Sequence, residues 1–170
     1  MEYTLIRSRR KTLAIEITRE AKLVVRAPLR CSKAQIERFL TEKQGWIESH
    51  LAKMEARNRA HPEPTAEEEA ALRQQAKRVL PQLVEKWAAV MAVEPAGITS
   101  TGARTRFGSC SPKNRLCFSW RLMQYPEEAV DYVVVHELAH IRHHNHSPAF
   151  YGLVEQYMPD YRRRRALLRD

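Results

Sequence analysis

The sequence predicts an α+β fold in which a small antiparallel or mixed sheet packs against a helix that carries a cluster of histidines. Three observations lead there. Short runs alternate apolar and polar residues near the N-terminus and again around residues 98–122; two capping-box patterns each open a stretch of helical periodicity; and the run His136-Glu137-Leu138-Ala139-His140 continues an apolar helix. A chain of 170 residues with 44% hydrophobic content can bury one proper core, and one compact unit is expected.

The elements follow in order. Tyr3 and Leu5, then Leu13, Ile15 and Ile17, then Leu23 and Val25 alternate as strands do, and predict an N-terminal meander of three short strands closed by Pro28. Ser32 followed by Gln35 has the form of a capping box, opening one long helix through Ile36, Phe39, Leu40, Trp46, Ile47 and Leu51, with Trp46 as a packing residue. Two prolines between His61 and Pro64 mark a hinge, so that residues 1–60 form a strand and helix portion and residues 65–170 hold the histidines. Thr65 with Glu68 is a second capping box, ahead of a helix with Leu72, Val79, Leu80, Leu83, Val84 and Trp87, the last again a packing residue.

Segments 98–106 and 115–122 then predict two strands, a hairpin or adjacent pair joined by a turn at Pro112, Lys113 and Asn114. Pro126 suits the first turn of a helix, where its missing N–H is harmless, and Ala129, Val130, Val133, Val134, Leu138 and Ile141 carry that helix as far as a stop at Asn145. Ser147 with Pro148 restarts a helix through Phe150, Leu153, Val154 and Tyr157, and a short basic helix from Tyr161 to Arg169 finishes the chain.

Composition narrows the chemistry. Lys and Arg number 29 against 20 Asp and Glu, a net charge of +9 that favours anionic partners without selecting one. Cys31, Cys110 and Cys117 form no CxxC pair, so neither a disulfide framework nor a zinc ribbon is indicated, and a reducing, cytoplasmic compartment is expected. The early charges, Arg7 to Lys11, are followed by no apolar run, and no stretch of spanning length occurs, so secretion and membrane insertion are not expected.

Five of the seven histidines fall between His136 and His146. His136 and His140, four residues apart on a helix, project from one face and can reach a single ion. A catalytic zinc takes three protein ligands and leaves a position open. His143 would stand roughly 10 Å of helical rise from His136, in poor tetrahedral geometry, whereas His146, beyond the expected helix, can turn back to complete the set. Glu155, on the following helix, is the alternative third ligand. Glu137 sits too far round the helix to bind the same ion and is placed as general base toward water on a zinc ion. The plain alternative, a histidine-rich helix end favoured by the C-terminal dipole, accounts for His143 and His144 but not for Glu137 among apolar neighbours. Other divalent metals also suit an imidazole site.

The segments Arg104-Thr105-Arg106-Phe107-Gly108-Ser109-Cys110-Ser111, Ser119-Trp120-Arg121-Leu122, Asp131-Tyr132-Val133-Val134-Val135-His136-Glu137-Leu138-Ala139-His140 and Asn145-His146-Ser147-Pro148-Ala149-Phe150-Tyr151 together resemble the YgjP-like metallopeptidase family. So do Arg7-Ser8-Arg9-Arg10-Lys11 and Val25-Arg26-Ala27-Pro28 near the N-terminus. The resemblance spans nearly the whole chain. It implies a zincin-type fold related to SprT-like and minigluzincin proteins, His136, His140 and His146 as ligands, and Glu137 as the base. Phe107 stands where many relatives have tryptophan, which keeps a ring and removes an indole N–H.

Arg106, Ser109 and Cys110 precede the histidine helix and are candidates for substrate binding, with an arginine suited to anionic charge. Asp131 and Tyr132 could either support the site or simply cap and pack the helix. The expected activity is hydrolysis by a zinc-dependent enzyme. A peptide substrate would lie along an edge strand formed around Arg115 to Trp120. Hydrolysis of a nucleoside triphosphate, with arginines gripping the phosphates, is the second expectation. The third is a nucleic-acid-binding module with a structural metal, resting on the Arg9 to Lys11 and Arg162 to Arg165 clusters; it lacks any recognition motif and is the least favoured.

Overall fold

The structure, a computed structural model, describes residues 2–168. The chain divides into two compact units, Met1–Glu63 and Pro64–Asp170. In the first, strands β1 (Thr4–Ser8), β2 (Ala14–Ile17) and β3 (Leu23–Pro28) precede helices α1 (Lys33–Glu42) and α2 (Gln44–Ala60). The strands are those expected, but they do not form a meander: the order is β1-β3-β2, with β1 parallel and β2 antiparallel to β3. The reason lies in β3, where Leu23, Val24, Val25 and Ala27 are all buried. Consecutive buried residues need cover on both faces, which suits a central strand, while β1 is exposed along its length and takes an edge.

The capping box forms as expected, with Ser32 Oγ accepting from the Gln35 N–H and Gln35 Oε1 from the Ser32 N–H. The single long helix does not: it breaks at Lys43 (φ −102°, ψ 7°) into α1 and α2. The break lets Ile36 and Ile47, both fully buried, reach the same small core with Val25. Trp46, expected in that core, is 42% exposed and stacks on His50 with ring centroids 4.0 Å apart.

The second unit begins with α3 (Ala66–Met91), whose Thr65–Glu68 capping box is complete and whose first turn holds Glu67, Glu68 and Glu69 against the positive end of the helix. Strands β4 (Gly97–Thr101), β5 (Gly108–Cys110) and β6 (Arg115–Ser119) form a sheet of order β4-β6-β5, β4 parallel and β5 antiparallel to β6. Segment 98–106 is therefore a shorter strand than expected, and the hairpin partner of β6 is β5, reached through a turn with Asn114 at φ 60°. Strand β6 is central and not an edge, which corrects the placement of a substrate along Arg115 to Trp120. Beyond Ser119 the chain leaves the sheet for a 3-10 turn, Trp120–Gln124, because Ser119 Oγ accepts the Arg121 N–H.

Helices α4 (Glu127–Ala139), α5 (Pro148–Tyr157) and α6 (Tyr161–Ala166) follow. Pro126 caps α4 from just outside it, and Ser147 caps α5 with its side chain. Helix α4 packs against α3, β5, α5 and α6, and nine of its residues are buried, which explains its apolar character all round. It ends at Ala139, earlier than the expected stop at Asn145. There the bonds tighten to Ile141 N–H to Leu138 O (3.1 Å) and Arg142 N–H to Ala139 O (3.1 Å). Among the described residues, no helix is long and apolar enough to cross a membrane.

Candidate metal centre and active site

Helix periodicity puts His136, in the last turn of α4, one turn before His140, the residue that caps the helix C-terminus, and the short bend after α4 returns the chain so that His146, just before the Ser147 cap of α5, meets them. One ligand nitrogen from each of the three lies within 4.8 Å of the others. His136 Nε2 and His146 Nε2 are 3.1 Å apart. Two nitrogens held at ~2.0–2.1 Å by a tetrahedral ion would stand roughly 3.3 Å apart.

The opposite ring nitrogens of His136 and His140 are engaged elsewhere. His140 Nδ1–H donates to the His143 carbonyl (2.9 Å), which leaves the His140 Nε2 lone pair facing the cluster, and His136 Nδ1 lies 3.2 Å from the Tyr132 hydroxyl. Burial drives the His136 pKa down to about 3, with the charges of His140 and His146 acting in the same direction, and burial lowers His140 as well. Two imidazoles kept neutral by burial and tied back at one nitrogen, with a third converging on them, form a donor set that a divalent metal ion accepts, so these residues fit one.

Phe150, fully buried, sits among the three imidazoles at centroid distances of 4.8, 4.4 and 5.2 Å and lies stacked on His140. A chain of ring contacts also runs from His136 through Tyr132, Tyr161 and Tyr151 to His146, at centroid distances from 5.7 to 6.3 Å. Tyr132 therefore packs and hydrogen-bonds at once, a double role that its sequence position left open. Changing Tyr132 to Phe keeps the ring and removes the hydroxyl. The expected result is zinc affinity lowered by about 10–100-fold with an unchanged circular dichroism spectrum, read by competition with a fluorescent chelator. An unaltered affinity would show that the hydroxyl does not orient His136.

Glu137 is 6% exposed, and burial pushes its carboxyl up to about 7, the charge of Arg106 acting in the opposite direction. Its neighbour is Gly108, the first residue of β5. A Cβ there would come within 2.8 Å of both Glu137 Cγ and Oε1, so only glycine lets β5 and the carboxyl lie this close. Sequence reasoning missed this role. The available signal was a glycine opening a short strand just ahead of the histidine helix.

The three candidate substrate residues fall beside this contact. Ser109 and Cys110 belong to β5, and Arg106, exposed and without a salt bridge among the described residues, lies two positions before Gly108. The Cys110 thiol is raised by burial and by Glu137, and it donates to the Ser111 carbonyl (3.6 Å), which suits a filler and not a nucleophile. Glu155 lies outside the histidine group; it is exposed, and its charge acts on Arg162.

Asp131 faces away from the histidines. It accepts a hydrogen bond from Trp87 Nε1 (3.0 Å) and stands 3.7 Å from Arg164. Arg163 makes a two-pronged bond with Glu128 and another with Asp160, and Arg164 binds Asp160. These two arginines fasten α6 to α4, so half of the basic run of α6 is matched by carboxylates.

A sheet edge, a buried carboxyl and three converging imidazoles on one helix–bend–helix segment are what a metal-dependent hydrolase of the metallopeptidase class requires. The family follows: the model described as YgjP-like, metallopeptidase domain, matches residues 11–71 and 65–170, and the chain belongs to that family. The resemblance drawn from its motifs is borne out, as is the α+β class. No curated protein matches the chain. Among solved structures it is similar to the metallopeptidase zymogen abylysin of Pyrococcus abyssi, with 18% identity over 53% of this chain and 91% of that one and a TM-score of 0.49. It is also similar to the metallopeptidase zymogen jannalysin of Methanocaldococcus jannaschii, with 22% identity over 46% and 80% and a TM-score of 0.42.

Proposed function

We propose that the second unit, residues 64–170, hydrolyses peptide bonds with one zinc ion held by His136, His140 and His146 and with Glu137 as the general base. The observation that carries this reading is the convergence of three imidazoles, two of them tied back at the opposite nitrogen, beside a buried carboxyl. Bound there, zinc would supply Lewis-acid polarisation of the substrate carbonyl and a more acidic attacking water. Glu137 takes the proton of that water and returns it to the leaving amine; a carboxyl whose pKa is raised toward neutrality can do both. Arg106, the cation whose charge Glu137 senses, would balance negative charge developing on the substrate.

Strand β5, with Ser109 and Cys110, is the sheet edge next to Glu137, and its other side pairs with no strand among the described residues. An extended peptide added there would bring its backbone past the carboxyl. The experiment is to strip the purified protein with a chelator, restore one equivalent of zinc, and assay a mixed peptide library beside a panel of nucleoside triphosphates. Cleavage of peptides that disappears on stripping and returns with zinc is the expected outcome. Metal-dependent hydrolysis of the triphosphates alone would replace this reading with phosphoanhydride hydrolysis.

A further inference from the structure

The first unit contains a groove of about 480 Å³ that the hydrolytic site does not use. Its floor includes Leu13 and Phe39, and its rim carries Lys11, Arg30 and Arg38. None of these cations has a carboxylate or hydrogen-bond partner among the described residues, and all are exposed. They are part of a wider imbalance, since fourteen of the 29 Lys and Arg but only eight of the 20 acids lie in residues 1–63.

The groove is fixed in place by bonds of its own. Arg7 Nη1 donates to the carbonyls of Pro28 (3.1 Å), Leu29 (3.1 Å) and Cys31 (2.7 Å), which holds the loop that bears Arg30, and the Ser32–Gln35 capping box sets the start of α1, which bears Arg38 and Phe39. Arg7 is thus structural, while the three rim cations are left available.

We propose that this groove binds a short acidic peptide segment with one large apolar side chain. Unpaired cations call for carboxylates, and Leu13 with Phe39 offers the apolar seat between them. Glu42, also unpaired, stands at the far end of the same α1 face, one turn beyond Arg38. A polyphosphate running the length of the groove would meet that carboxylate, whereas a peptide can present a neutral or basic group there. The stretch of α1 from Gln35 to Glu42 rises about 10 Å, the span of roughly three extended residues. That the bound segment belongs to a polypeptide awaiting cleavage rests on the peptidase reading; the binding itself does not.

The test uses full-length protein carrying Glu137→Gln, so that no probe is cut, and follows fluorescence anisotropy. The probe is a labelled pentapeptide with two glutamates on one side of a phenylalanine and two serines on the other, compared with its glutamine counterpart and with a labelled ten-residue thymidine oligonucleotide. The acidic peptide is expected to bind best and to weaken with added salt. Reversing both rim arginines, Arg30→Glu with Arg38→Glu, is expected to weaken it about tenfold or more. Because both side chains are exposed, the fold should survive, which circular dichroism checks, and Lys11→Gln supplies a milder variant with a smaller loss in the same direction. Equal binding by the parent and the reversed variant, equal binding of the glutamine peptide, or tighter binding of the oligonucleotide overturns the proposal. Failure of peptide cleavage in the zinc assay with acidic-peptide binding intact would remove the peptidase reading and leave the groove standing.

Discussion

Glu137→Gln is expected to retain stoichiometric zinc while lowering kcat on any cleaved peptide by about 10²–10⁴-fold, the range in which a positioned acid or base acts. The substitution keeps the shape of a side chain enclosed by Gly108 and 94% withdrawn from solvent, so packing is preserved. What it removes is the ability to accept a proton from water and pass it on. The group is absent from the ligand set, so metal content should not fall. The check is kcat and KM measured together with zinc by atomic absorption. A loss confined to KM would mean that the carboxyl only binds substrate. Loss of zinc would place Glu137 among the ligands.

His146→Ala is expected to weaken zinc binding by more than about 100-fold, beyond the ~10–100-fold cost of removing a group that only orients a ligand. His146 is exposed and lies between α4 and α5, so the loss should appear in the metal and not in the fold. Glu155→Ala is the companion variant, and its zinc affinity should stay unchanged. Competitive titration of both proteins decides the third ligand. The ligand set is wrong if Glu155→Ala loses the metal and His146→Ala keeps it.

The convergence of the three histidines was legible because its parts are local. A four-residue spacing on one helix and a histidine just before a Ser-Pro restart can be read without knowing the tertiary structure. The capping boxes at Ser32 and Thr65 were legible for the same reason, each being an exchange between residues three apart. What failed depends on distant partners. Whether β3 or β6 is central follows from which strand is covered on both faces, and β1 reaches its place through a parallel pairing that alternation cannot reveal. Gly108 escaped notice because its neighbour, Glu137, is far along the chain, and the arginines of α6 looked available because Glu128 and Asp131 lie in a different helix. Trp46 misled in the other direction. Its helical spacing was that of a core residue, but the break at Lys43 turned its face outward.

The ring contacts around the histidines have a consequence for the order of events during synthesis. Tyr161, in α6, stacks on both Tyr132 and Tyr151, and through them adjoins His136 on one side and His146 on the other. The chain leaves the ribosome N-terminus first, so all three histidines emerge before the tyrosine that braces their neighbours. Until α6 has folded back, a nascent chain carries the complete motif without these ring contacts, so the bracing of His136 and His146 forms only once α6 is made.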